Sequence, residues 1–75
     1  RALRNDLLAL ETSLGHGQDE TARRIMHHMR GTALGLYLEE TGQILGSMQR
    51  KSKSGESVQE DLSSLRKSLD TYFAE

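Results

Sequence analysis

Leu3, Leu7, Leu10 and Leu14 recur at alternating steps of four and three residues. That spacing returns each side chain to one face of a 3.6-residue helix, whereas a strand would scatter them over both faces. It therefore predicts an amphipathic helix. The spacing then appears three more times. Ala22, Ile25, Met26, Met29 and Ala33 form a second stripe. Leu38, Thr41, Ile44, Leu45 and Met48 form a third, and Val58, Leu62, Leu65, Leu69, Tyr72 and Phe73 a fourth. No segment alternates apolar and polar residues as a half-buried strand would. The chain also lacks proline and is only 4% aromatic, a composition that favours helices over a β-sandwich. At 75 residues it is one small domain. A core of that size stabilises only marginally, so the fold must be simple and locally connected. The expectation is an all-α, antiparallel up-down-up-down four-helix bundle over residues 1–75.

Turn and cap residues divide the stripes. The Gly15-His16-Gly17 stretch ends the first, since glycine is the usual residue just past a helix. Asp19 is the expected N-cap of the second, its carboxylate accepting backbone N–H groups. A break falls within residues 34–38. Gly42 and Gly46 weaken the third helix unless close packing needs them. Arg50, Lys51 and Lys53 suit the negative end of its dipole. Residues 51–57 read as a loop, and Ser57 with Glu60 has the spacing of a capping box for the last helix.

Several function classes are excluded or lack support. There is no cysteine, hence no disulfide and no thiolate metal site. Net charge is −1, which gives no argument for nucleic acid, so electrostatic recognition must be local. No apolar run approaches the roughly 18 residues that suggest a membrane span. There is no P-loop, dinucleotide fingerprint or HExxH zinc motif. No signal peptide is visible, and the sequence begins with Arg1 rather than Met; the expectation is a domain cut from a longer protein, in the cytoplasm.

The chemistry-bearing stretch is IMHHMRGTALG, residues 25–35. On a helical wheel His27 lies about 100° beyond the apolar cluster and His28 about 100° further round, so the two rings cannot serve one site. Three and four residues from His27 stand Arg23, Arg24, Arg30 and Gly31. His27 thus sits on a basic strip with a missing side chain beside it. Gly31 costs about 1 kcal/mol of helix stability relative to alanine, and a gap that lets something large approach the imidazole is a reason to keep it. His28 has no comparable surroundings in the sequence. A metal site from His16, His27 and His28 is not expected, because adjacent helix residues diverge and no acid lies at ligand spacing. Met26, Met29 and Met48 read as core filler.

His27-His28-Met29-Arg30-Gly31 resembles the H-x-[apolar]-[KR]-G motif of histidine-containing phosphotransfer domains. These are four-helix modules of multistep phosphorelays, often the C-terminal part of a hybrid sensor kinase. The resemblance covers most of the chain: one amphipathic helix before the motif and two after it. It implies that His27 is the phosphoacceptor, that Arg30 neutralises phosphoryl charge and that Gly31 makes room for the partner. It also implies a glutamine on the next helix that orients the ring; Gln49 is at the expected position, with Gln43 the other candidate. Arg23, Arg24 and Leu34 would touch the partner, a receiver domain that carries the Mg²⁺ and the reactive aspartate. The domain itself would be a monomer with no cofactor, no kinase activity and no direct membrane contact. Tyr37 stands where the family often has a second glycine, and Gly35 is nearby.

The chemistry is coherent without the family. Phosphoryl transfer asks for positioning and charge neutralisation. A neutral imidazole offers a nucleophilic nitrogen near pH 7, and arginine donors match phosphate oxygens. Local arginines would also steer an acidic receiver pocket to the site. Other readings stand beside this one. An exposed histidine is commonly just solvated, as are Arg23, Arg24 and a surface glutamine. The whole chain could be a helical interaction module without chemistry. The stretch also faintly resembles the phosphoacceptor box of a sensor-kinase dimerisation domain, although His28 stands where that box has an acid and the following proline is missing.

Overall fold

In the computed structural model, which describes residues 2–73, the chain forms four helices: α1 (Ala2–Gly15), α2 (Asp19–Gly35), α3 (Glu39–Lys53) and α4 (Gln59–Phe73). Arg1, Ala74 and Glu75, the ends of the expected domain, lie outside the described residues. Each helix packs on its sequence neighbours, and a slighter α1–α4 seam closes the ring. Cross-helix contacts show that α4 runs antiparallel to both α3 and α1. Thr41 meets Ser68 and Ser47 meets Asp61 between α3 and α4; Glu11 meets Arg66 and Arg4 meets Phe73 between α1 and α4. The result is the up-down-up-down bundle. It is 33 Å long and 19 Å in the other two directions, the width of two packed helices.

The core comes from the four stripes. Leu3, Leu7 and Leu10 from α1, Ala22, Met26, Met29 and Ala33 from α2, Leu45 and Met48 from α3, and Leu65 and Leu69 from α4 are buried, with Val58 just before α4. Each fully buried leucine or methionine contributes roughly 1.5–3 kcal/mol. Ile25, Leu38, Ile44, Leu62 and Phe73 pack around them half-buried. Tyr72 departs from its expected place in the stripe. It is exposed and stacks edge-on against Phe73, with ring centroids 5.2 Å apart. Thr41 is buried but satisfied, its hydroxyl 2.7 Å from that of Ser68.

The first three helices end in the same way. After α1, Gln18 N–H donates to Ser13 O and Gly17 N–H to Leu14 O. After α2, Leu38 N–H donates to Ala33 O and Tyr37 N–H to Leu34 O; after α3, Glu56 N–H donates to Lys51 O and Gly55 N–H to Ser52 O. This is the Schellman closure, which needs a left-handed residue just past the helix. Gly17 (φ 70°) and Gly55 (φ 79°) supply it without strain, whereas the middle turn uses Tyr37 at φ 61°. The turn after α2 therefore forms despite the absent glycine, and Gly35 is simply the last helical residue.

Three boundary expectations are corrected. Asp19 is the first residue of α2 rather than its cap. Gln18 occupies the cap and makes no side-chain capping bond, so Asp19 and Glu20 act through the helix dipole instead. The loop before α4 is shorter than residues 51–57, because α3 runs on to Lys53. Ser57 accepts the Gln59 N–H at 3.3 Å, but no bond returns from Glu60, so the capping box does not close.

Candidate functional site

The α2–α3 pair forms the site because α3 carries two buried glycines on the face it turns to α2. A Cβ on Gly42 would lie 3.1 Å from Leu34 Cδ2, and one on Gly46 would lie 3.7 Å from the guanidinium carbon of Arg30. Side chains of α2 thus lie across the bare backbone of α3. These are the close contacts that justify glycines inside a helix.

The two contacts also give the register. Four residues forward on α3, from Gly42 to Gly46, correspond to four residues back on α2, from Leu34 to Arg30. Three more residues along each helix set Gln49 level with His27, while Gln43 falls nearer the α2–α3 turn. Gln49 is half-buried, and its Oε1 is buried with no hydrogen-bond partner. Such an orphaned acceptor costs about 1–3 kcal/mol until a donor reaches it. No hydrogen bond joins it to the imidazole among the described residues. Gln43 is exposed and lines a groove of about 540 Å³ with Arg30, Leu34 and Glu39.

His27 is exposed on the outer face of α2. Gly31, one turn on, is open: a Cβ there would meet nothing within 4 Å. Arg30 leans away over Gly46, towards α3. Leu34 is half-exposed (54%) above Gly42. Arg23 is exposed, and Arg24 reaches Glu20 at 3.7 Å in a pair so exposed that it contributes little. His27, Gly31, Arg30, Leu34 and, by register, Gln49 therefore share one region, with Arg23 and Arg24 on the preceding turn.

His28 has surroundings that its own helix does not reveal. Its Nε2 lies 3.5 Å from Oδ2 of Asp6 on α1, an oxygen that is buried and has no hydrogen-bond partner. His28 thus faces the α1 seam while His27 faces outward, as the wheel requires. Arg50 was also missed as a site residue. Read from sequence it complements the α3 dipole; in the fold its Nη1 lies 3.8 Å from the Cβ position of Gly46, beside Arg30. Only the register of two helices could have shown either contact. Among the described residues no three His, Asp or Glu side chains gather as a metal site, and no helix is long and apolar enough to cross a membrane. No family model, curated protein or solved structure matches the chain.

Proposed function

We infer that this domain is a phosphorelay intermediate of the histidine phosphotransfer kind, with His27 as the relay residue. One observation carries the reading: an exposed imidazole beside the open backbone of Gly31, level with the unsatisfied Gln49 carbonyl, on the outer face of a four-helix bundle. One imidazole nitrogen attacks the phosphorus of a receiver aspartyl phosphate. The P–N bond forms as the P–O bond breaks, and the aspartate leaves as carboxylate. The reverse reaction loads a second receiver. Gln49 Oε1 would accept a hydrogen bond from the N–H of the other ring nitrogen and so fix the nucleophilic tautomer. Arg30 would turn back to the phosphoryl oxygens. Arg23, Arg24 and Leu34 would meet the receiver, which brings the Mg²⁺. The chain would act as a monomeric carrier without kinase activity, in the cytoplasm, as part of a larger sensor kinase.

The test is acid-labile, base-stable labelling from a phosphorylated receiver, with His27→Gln and His28→Gln in parallel. Label on the wild type and the His28 variant but not on the His27 variant is expected. Label lost only with His28 would overturn the assignment. A second reading, an interaction module without chemistry, draws on exposed Leu34, Leu36 and Tyr37 around the α2–α3 turn. It predicts no label on any variant, with partner affinity the one property that His27→Gln could change.

A further inference from the structure

Arg30 and Arg50 come from different helices and converge over one glycine. The guanidinium carbon and Nε of Arg30 each lie 3.7 Å from the Cβ position of Gly46, and Nη1 of Arg50 lies 3.8 Å from it. With Lys53 and Gln49 they wall a cavity of about 270 Å³. None of these three cations takes part in an ion pair among the described residues, whereas Lys51, in the same turn of α3, holds Asp61 at 3.0 Å. Glu39 lines the adjoining groove, but among the described residues no carboxylate oxygen comes within ion-pairing distance of either arginine.

The helix dipole explains cations in the last turn of α3. It does not explain why Arg30, from the middle of α2, meets Arg50 above the same bare backbone. Two guanidinium groups so close together repel each other unless an anion lies between them. Each presents a planar fork of donors that matches two oxygens of one oxyanion. Gly46 leaves the floor of the cavity clear, and Lys53 adds a third positive charge at its rim.

We propose that this cavity is an oxyanion site, built for a tetrahedral dianion of the phosphate type held between Arg30 and Arg50. It shares Arg30 and Gln49 with the proposed relay site, but it rests on Arg50 and the clear space over Gly46 and does not require His27 to be phosphorylated.

The probe is inorganic phosphate, titrated at constant ionic strength against chloride and followed by backbone and arginine side-chain NMR signals. Saturable shifts centred on Gly46, Gln49 and Arg50 are expected, with a dissociation constant in the millimolar range. Arg50→Ala, an exposed position whose loss leaves the core intact, weakens binding at least fivefold. Lys67→Ala, on α4, binds as the wild type does. Shifts that chloride reproduces, or that persist undiminished in Arg50→Ala, would overturn the site. So would loss of binding in His27→Gln, which would put the anion on the imidazole instead. Phosphate binding with no labelling of His27 would sink the relay reading and leave this site standing.

Discussion

Tyr37→Gly should make the domain more stable, although it removes the side chain of an aromatic residue. Tyr37 closes α2 in a left-handed conformation (φ 61°), where an L-residue with a Cβ costs roughly 1–2 kcal/mol. Glycine removes that cost but gives the unfolded chain more freedom, an offset of about 0.4–1 kcal/mol. The ring itself is 89% exposed, so the burial it loses is worth a few tenths of a kcal/mol. The balance is a gain of about 0.5 kcal/mol, which raises Tm by roughly 2–4 °C in a domain of this size. Tyr37→Asn separates the two terms, because asparagine tolerates this conformation without the flexibility of glycine. It should gain at least as much. Gly55→Ala places a Cβ in the matching position after α3 and should lose about 1 kcal/mol or more. Thermal and urea denaturation followed by helical circular dichroism measure all three. A lower Tm for both Tyr37 variants would refute the reasoning, since the ring would then be making contacts that outweigh the strain.

Three more outcomes follow from the packing. Gly31→Ala meets open space within an α-helix, so stability should rise by up to about 1 kcal/mol, while transfer from a receiver slows if the gap admits the partner; equal transfer rates would remove Gly31 from the site. Thr41→Val breaks the part-buried 2.7 Å bond to Ser68 and should cost about 0.5–1.5 kcal/mol by urea denaturation; no change would mean that bond adds nothing net. Leu45→Ala opens a cavity in the fully buried core and should cost about 2–5 kcal/mol, enough to unfold much of the protein at moderate temperature.

The helices were legible because their apolar spacing depends only on the local period. Leu3, Leu7 and Leu10, or Met26, Met29 and Ala33, occupy the core as their positions on the wheel demand. Tyr72 departs from the stripe because in the last turn of α4 its ring lies at the surface against Phe73 rather than in the core. Ends were read less well. Whether Asp19 caps α2 or begins it turns on one residue, and backbone closure from Gln18 settles it without a side chain. The pattern at His27, Arg30 and Gly31 is local to one helix and could be read directly. Arg50 beside Arg30, and Asp6 beside His28, depend on how two helices slide past each other. No spacing within one helix encodes that. Gly42 and Gly46 were the available signal, since glycines four apart inside a helix mark a place where a neighbour crosses closely.

The uneven ring of helix contacts bears on how the chain assembles. Apart from the α1–α4 seam, every interface joins elements adjacent in sequence, so nearly all loop closures are short and folding should be fast. The α2–α3 hairpin has the most extensive interface and the seam the slightest. The seam is held by an Arg66–Glu11 pair at 3.1 Å and by Arg4 over the Phe73 ring at 4.7 Å, both near the surface. Opening should therefore begin there, with α1 and α4 parting while α2 and α3 stay docked. Amide protons of the outer two helices would then exchange with solvent ahead of those flanking His27. The histidine would then ride on the part of the protein that comes apart last.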